Sequence, residues 1–304
     1  MNSKTRMMTT ALFSLALPLL SIASDNSPDF DFDTSVGYQY DSNVNVAEID
    51  ANTGEADSAL LLSAGLGAAL PLSNSVSLRL GYDYSQTSYR EFSDFDLSIH
   101  HGRAELAWRV AGFDTALSAD RLAVALGGEA FMNIAQVSPS IARLFGNKFY
   151  VRSAYTRSRK DYAASTARNS RNDAVRADAY LLFDGMNRYL SAGFQSDSED
   201  ALDAEFDYRA KRLMLAYGHR VELGRMQVGL KARLQAENRD YAGVSEFIGG
   251  RRHDRRFRAG LSAAIPFSEN VVLKADLEYA DNTSNLDTAN FDEAIYAVNL
   301  AVNF

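Results

Sequence analysis

The sequence has no cysteine, only five prolines, and no apolar run long enough for a transmembrane helix after residue 23. Without cysteine there is no disulfide framework, so stability must come from a large core or a closed sheet. Few prolines leave few breaks between domains, and we expect a single domain. Basic residues are also in deficit, with a formal net charge of −8. Because binding to phosphate backbones needs a basic surface, nucleic acid is not an expected partner.

The first residues have the pattern of an export signal. Lys4 and Arg6 give a positively charged start, residues 11–22 form a short apolar core, and small residues around Ala23 offer a cleavage site. The apolar core is too short to span a bilayer as a helix. We therefore expect a cleaved signal peptide over residues 1–23 and one further domain over residues 24–304.

Most of that domain alternates between apolar and polar residues, which is the period of a β-strand with two different faces. From Phe30 to Tyr40 the even positions are aromatic, Thr or Val, whereas the odd positions are Asp, Ser, Gly or Gln. The alternation weakens over 113–165, where strand boundaries are not defined by the pattern. Its phase changes near His101 and Gly102, where we expect a β-bulge. Similar alternation recurs over residues 60–70, 76–85, 226–235, 256–267 and 271–279.

Short and long connections also alternate along the chain. Tight turns are predicted at residues 71–75, 111–112, 146–148, 184–187, 222–225 and 268–270. Longer polar loops are predicted at residues 45–57, 87–94, 127–130, 163–171, 199–206, 241–252 and 286–291. These connections join about 14 strands, and an even number with short connections at one end is typical of outer-membrane barrels. The predicted fold is an all-β, transmembrane antiparallel β-barrel.

The polar face of the predicted strands carries many charged residues well inside the strands. In a membrane barrel such residues line the lumen, while the Leu, Val and Ala positions meet lipid. The sheet must close, because each unpaired backbone group in lipid costs several kcal/mol. The residues predicted to line the lumen are Arg79, Asp83, Glu105, Arg109, Arg176, Asp178, Lys231, Arg233, Arg256, Arg258, Lys274, Asp276 and Glu278.

Aromatic residues fall where the two membrane interfaces are expected, since an amphipathic ring is stable at the headgroup level. Predicted for the long-loop end are Tyr38, Tyr40, Tyr82, Tyr84 and Tyr279, and for the short-turn end Trp108, Phe183, Tyr217, Phe267 and Phe304.

The last strand alternates without interruption and ends on an aromatic residue. This pattern resembles the terminal strand by which outer-membrane barrels are recognised for insertion, which implies the barrel assembly machinery as a partner. The residues predicted for this role are Tyr296, Val298, Leu300, Val302 and Phe304.

Three segments resemble the carboxyl-terminal barrel of surface lipoprotein assembly modifier proteins. They are YDSNVN at 40–45, RRHDRRFRAGLSAAIPF at 251–267 and LEYADNTSNLDTANFDEAIYAVNLAVNF at 277–304. The resemblance implies a 14-stranded channel in the bacterial outer membrane that helps to move lipoproteins to the cell surface. Full-length family members carry a periplasmic helical-repeat domain before the barrel, for which the residues before Tyr38 leave no room. The resemblance therefore implies a surface lipoprotein client and a separate periplasmic partner, or a different task.

Two other functions are weighed against translocation. A general diffusion porin for small solutes is the alternative, and its mixed lumen charges predict no strong ion selectivity. An outer-membrane hydrolase would have to use His253 with Asp254, or His100 with His101, but no nucleophile accompanies them, and we expect no enzyme activity. No metal motif, phosphate-binding glycine loop or nucleotide signature is present, so no cofactor is expected. The basic run at 249–258 would lie at the outer rim, facing lipopolysaccharide, a client or neighbouring acids.

Overall fold

The computed structural model describes residues 27–224 and 226–304, so the predicted signal peptide lies outside the described residues. Among the described residues, no helix is long and apolar enough to cross a membrane. Five 3-10 helices occupy connections, at Ser93–Phe95, Thr166–Arg168, Asp184–Met186, Ala204–Phe206 and Asp287–Ala289. The strands are β1 Asp29–Asp41, β2 Asn45–Val46, β3 Ala51–Asn52, β4 Asp57–Ser73, β5 Val76–Tyr89, β6 Leu97–Val110, β7 Phe113–Leu126, β8 Glu129–Phe145, β9 Phe149–Tyr162, β10 Ser170–Phe183, β11 Arg188–Ala201, β12 Tyr208–Leu223, β13 Met226–Ser245, β14 Gly250–Pro266, β15 Val271–Ser284 and β16 Phe291–Asn303.

Fourteen of these strands form one closed antiparallel barrel, which confirms the predicted fold and strand number. Each barrel strand pairs with its neighbours in the chain, and β1 closes the sheet by pairing with both β4 and β16. The closing pair runs from Asp33 opposite Asn303 to Asp41 opposite Ile295. The remaining strands, β2 and β3, form a two-residue hairpin inside the first long connection.

Both ends of the barrel chain and the short turns lie at one end, called here the inner end, and the long connections lie at the outer end. Outer-membrane barrels place short turns in the periplasm and long loops outside the cell. One predicted loop is wrong. Residues 127–130 form a tight hairpin, because Gly127 and Gly128 both adopt positive φ and Leu126 pairs directly with Glu129.

Two further expectations need correction. The loop predicted at 241–252 is much shorter, because β13 and β14 remain paired as far as Ser245 and Gly250. The pairing register of β13 and β14 shifts at a bulge between Asp240 and Val244. No bulge occurs near Gly102, since β6 keeps an unbroken register with β5 and β7. The change of phase in the sequence instead arises because Ile99, although apolar, lies on the lumenal face of β6 together with His101.

Large apolar side chains cover the outside of the barrel. Leu66 is 57% exposed, Leu213 52% and Leu261 58%, although each lies mid-strand. Leaving such a surface in water would cost about 25 cal/mol per Å². The closed sheet satisfies its own backbone groups, and the apolar exterior matches hydrocarbon. This arrangement is the one that a β-barrel needs in order to span a membrane.

Exposed aromatic side chains mark both ends of this apolar band. Tyrosines predominate at the outer end, where Tyr40 and Tyr296 lie 6.2 Å apart by ring centroids. Phenylalanines predominate at the inner end, where Phe32 stacks on Phe304 at 5.8 Å. The exposed rings at the inner end that the sequence pattern did not predict are Phe30, Phe32, Phe145 and Phe149.

Candidate functional site in the barrel lumen

The charged residues predicted to line the lumen all lie at strand positions that alternate with the outward apolar side chains. Their neighbours along the strands are exposed, as with Tyr82 beside Asp83, Val175 beside Arg176 and Leu277 beside Glu278. The alternation of a β-strand therefore directs these charges to the inside of the closed sheet. That they serve as the lining of a passage stays a prediction.

Several of these charges pair between strands. Arg79 on β5 contacts Glu105 on β6 at 2.7 Å, and Arg233 on β13 reaches past β14 to contact Glu278 on β15 at 2.5 Å. Arg109 contacts Asp114, which sequence reasoning had not singled out, at 2.8 Å. Such pairs hold long side chains against the wall and keep part of the interior open.

A cavity of about 440 Å³ lies inside the wall formed by β10 to β15. Cations outnumber anions in its lining, which includes Arg176, Asp178, Lys231, Arg233, Arg258 and Glu278. Arg176 binds Asp178 at 2.8 Å. Within the described part of the chain, no acidic side chain lies at ion-pair distance from Lys231 or Arg258. This cavity therefore presents net positive charge to a solute.

Nearer the outer end, Glu199 organises a first group of buried polar side chains. Its carboxylate accepts hydrogen bonds from Lys160 and Asn172 at 2.8 Å each, and from Tyr208 at 3.3 Å. The guanidinium of Arg239 lies over the Tyr208 ring at 4.1 Å. This cation–π contact joins the Glu199 group to its neighbours on β13.

Glu237 on β13 holds a second group. It accepts a hydrogen bond from Arg212 at 2.7 Å and another from Arg239 at 2.9 Å. Since its side chain is only 2% exposed, its charge depends on these two arginines.

A third group surrounds Asp254 on β14. Arg252 donates to its carboxylate at 2.8 Å, Arg256 at 3.2 Å, and the Ser284 hydroxyl at 2.8 Å. The basic run at 249–258 is thus split by strand alternation. Arg252 and Arg256 point inwards and pair with Asp254, as in the expectation of neighbouring acids, whereas Arg251 and Arg255 lie on the outward face.

The histidine pairs considered for catalysis are separated by the same alternation. His253 points outwards and contacts Asp240 at 2.8 Å, whereas Asp254 is buried inside. His100 contacts the Tyr82 hydroxyl at 2.7 Å on the outside, and His101 contacts Asp120 at 2.9 Å on the inside. Neither predicted pair shares a face. In the described residues, no group of three or more His, Asp or Glu side chains is placed to hold a metal ion.

Residues 42–56, called here the first loop, cross the outer mouth above these groups. The loop leaves the wall between β1 and β4, and Asp50 reaches Arg168 in the connection between β9 and β10. In the order of the fourteen strands this connection lies nearly opposite β1 and β4. Asp50 also binds Arg252 on β14, and both contacts are 2.8 Å long. The first loop therefore spans the mouth and is fixed on its far side.

Electrostatics favour the ionised form of Asp50. Burial alone would raise the pKa of this carboxyl, but hydrogen bonds and charges from Arg252 and Arg168 hold its pKa below the usual value. A cavity of about 110 Å³ lies beneath the loop, with Glu48, Lys160, Glu199 and Arg239 among its lining residues. Ion pairs of the first loop therefore cross the mouth in this state.

A comparison with protein families agrees with the barrel geometry. The family model described as surface lipoprotein assembly modifier matches residues 30–304. The chain belongs to this family. No curated protein matches the sequence.

Solved structures share the fold of this surface lipoprotein assembly modifier family member at low sequence identity. An anion-selective porin from Comamonas acidovorans is 10% identical, with a TM-score of 0.54, over 92% of this chain and 100% of the porin. OmpT of Vibrio cholerae, folded in vitro, is 8% identical, with a TM-score of 0.53, over 91% and 100%. Salmonella typhi OmpF in complex with daunomycin is 11% identical, with a TM-score of 0.52, over 92% and 98%. These likenesses establish the outer-membrane barrel fold alone.

Sequence reasoning about this family member missed the side chains that close the mouth. Asp50 lies in a loop without strand alternation, so nothing local pointed to its partners. Glu237 and Arg239 do have a local signal, since they are opposite charges two residues apart on one strand face. The same signal connects Arg252, Asp254 and Arg256.

Proposed function

We propose that this protein is a translocation or assembly channel for surface-exposed lipoproteins. Membership of the surface lipoprotein assembly modifier family carries the proposal, because the matching model covers almost the whole barrel. The proposed partners are a lipoprotein client, a separate periplasmic protein, the barrel assembly machinery and the lipid of the outer membrane.

The first loop across the outer mouth supports a gated channel over a permanently open one. A diffusion pore needs a continuous water path, whereas here the first loop crosses the mouth and Asp50 binds Arg168 on the far side and Arg252 on β14. A channel for a bulky client must stay closed between clients, since an open 14-stranded lumen would leak solutes. Release of the first loop from Arg168 and Arg252 is the proposed opening step.

Deletion of the gene tests this function in cells of the native organism. Surface exposure of each lipoprotein would be measured by labelling intact cells, and divided by its total amount after lysis. We expect at least one lipoprotein to keep its total amount but lose most of its surface fraction, and to recover with the plasmid-borne gene. Unchanged surface fractions for all lipoproteins would contradict the proposal.

A solute channel is the second candidate, favoured by the positively lined cavity at Lys231 and Arg258. Conductance in planar bilayers distinguishes the two functions. A porin gives a steady open conductance, whereas the gated channel gives a closed baseline with rare openings.

A further inference from the structure

Four arginines on the outside of the barrel are not explained by a lumenal function. Arg157 and Arg159 on β9, Arg171 on β10 and Arg121 on β7 occupy the same alternating face as the lipid-facing residues of their strands. Arg157 and Arg159 remain 61% and 68% exposed as side chains. They lie close to the outer end, since β9 ends at Tyr162 and β10 begins at Ser170.

A groove of about 340 Å³ opens beside these arginines. Its lining combines the apolar residues Ala119, Ala135 and Val137 with Arg157, Arg159 and Arg171, and also includes Asp120, Gln136 and Ser158. The groove therefore combines small apolar residues with arginines.

Acidic neighbours balance these arginines only in part, since Asp200 lies directly opposite Arg171 in the register of β10 and β11 but not at ion-pair distance. Asp161 contacts Arg159 at 2.9 Å, and Asp173 contacts Arg157 at 4.0 Å. Within the described residues, Arg171 has no acidic partner at ion-pair distance. Arg171 is also directly opposite Arg159 in the register of β9 and β10. Like charges facing each other across two strands are destabilising, so an anion between them would relieve repulsion.

The position of the groove along the barrel axis indicates which kind of anion it binds. Exposed apolar side chains lie below it towards the inner end, such as Tyr155, Ile141 and Val175. The arginines thus lie where the hydrocarbon ends and the outer headgroups begin. Arginine binds phosphate through two parallel N–H bonds, which suits a lipid phosphate at this level.

We propose that the groove formed by Arg157, Arg159 and Arg171 above Ala119 and Ala135 binds a phosphorylated glycolipid of the outer leaflet. One lipid phosphate lies between Arg159 and Arg171, and an acyl chain packs along Ala119 and Ala135. This site is independent of the proposed translocation function, because none of its residues contacts the first loop.

Lipid binding to the detergent-solubilised protein tests the site, with native mass spectrometry as the readout. The probes are diphosphorylated lipid A and the same lipid without its phosphates. The groove variant is R157Q/R159Q/R171Q. The matched control is R209Q/K211Q/R255Q, which removes three cations from outward rim positions outside the groove.

We expect the wild-type protein to prefer the diphosphorylated lipid, which requires no substitution and no assumption about folding of variants. The groove variant should bind this lipid about tenfold or more weakly, because it loses charge-assisted bonds to phosphate, whereas the control should change little. Equal weakening in both variants would show a diffuse basic rim and overturn the proposal. Equal binding of the two lipids by the wild-type protein would also overturn it.

Discussion

Removal of the Asp50 carboxylate should open the outer mouth. Arg168 and Arg252 each donate to a different oxygen of this carboxylate at 2.8 Å. A charge-assisted hydrogen bond contributes about 1.5–3 kcal/mol. Arg252 keeps Asp254 as a partner, so we take the lower end for each bond and expect D50A to lose about 3 kcal/mol of loop anchoring. At 1.4 kcal/mol per factor of ten, the open population rises roughly a hundredfold.

Single-channel recording in planar bilayers measures this change directly. The wild-type channel should be closed most of the time at pH 7, and D50A should open far more often. The matched control is E55A, which removes an exposed carboxylate from the same loop. If D50A and E55A both gate as the wild-type channel does, the ion pairs at Asp50 do not hold the mouth closed.

The pH dependence has a definite sign. The pKa of Asp50 is lowered in the folded protein, so its ion pairs contribute fully above the unfolded value of about 3.9 and are lost as pH falls further. Openings of the wild-type channel should therefore increase below about pH 4, and the increase should be smaller in D50A. Acidification that closes the wild-type channel would contradict this assignment.

Three further predictions concern the barrel itself. E237Q leaves Arg212 and Arg239 without their buried counterion and should destabilise the barrel by about 3–5 kcal/mol in thermal unfolding followed by gel mobility. D240N at the exposed rim should not destabilise it, and equal stability of E237Q and the wild-type protein would refute the role of Glu237. G218A places a methyl group against the buried Tyr189 ring and should cost about 1–3 kcal/mol of barrel stability. The methyl group of G102A meets open space, so this variant is the control, and equal losses of stability in both variants would contradict the packing. F304S should reduce the amount of assembled barrel in cells more than F267S, which replaces another exposed ring at the inner end. Equal reductions would contradict the special role predicted for the terminal residue.

Strand alternation made the barrel predictable, because the lipid-facing and lumenal faces impose a period of two along every strand. It correctly separated Leu230 from Lys231 and Tyr279 from Glu278. It did not predict the first loop, whose position is set by Asp50 and by arginines more than one hundred residues away. It also predicts too long a connection at 127–130, because alternation does not contain the positive φ angles with which Gly127 and Gly128 close a tight hairpin. Long-range ion pairs and turn geometry are the parts that a local pattern does not contain.

If a lipoprotein client passes through a lumen that the first loop closes, tethering this loop should stop delivery of the client. The chain contains no cysteine, so D50C/R252C introduces the only two thiols, both at the outer mouth. A short bismaleimide would tether the loop shut in living cells, while N-ethylmaleimide would block both thiols and leave the loop free. We expect newly made client to stop reaching the surface only after treatment with the bismaleimide. Undiminished delivery in cells whose channels are fully cross-linked would contradict it.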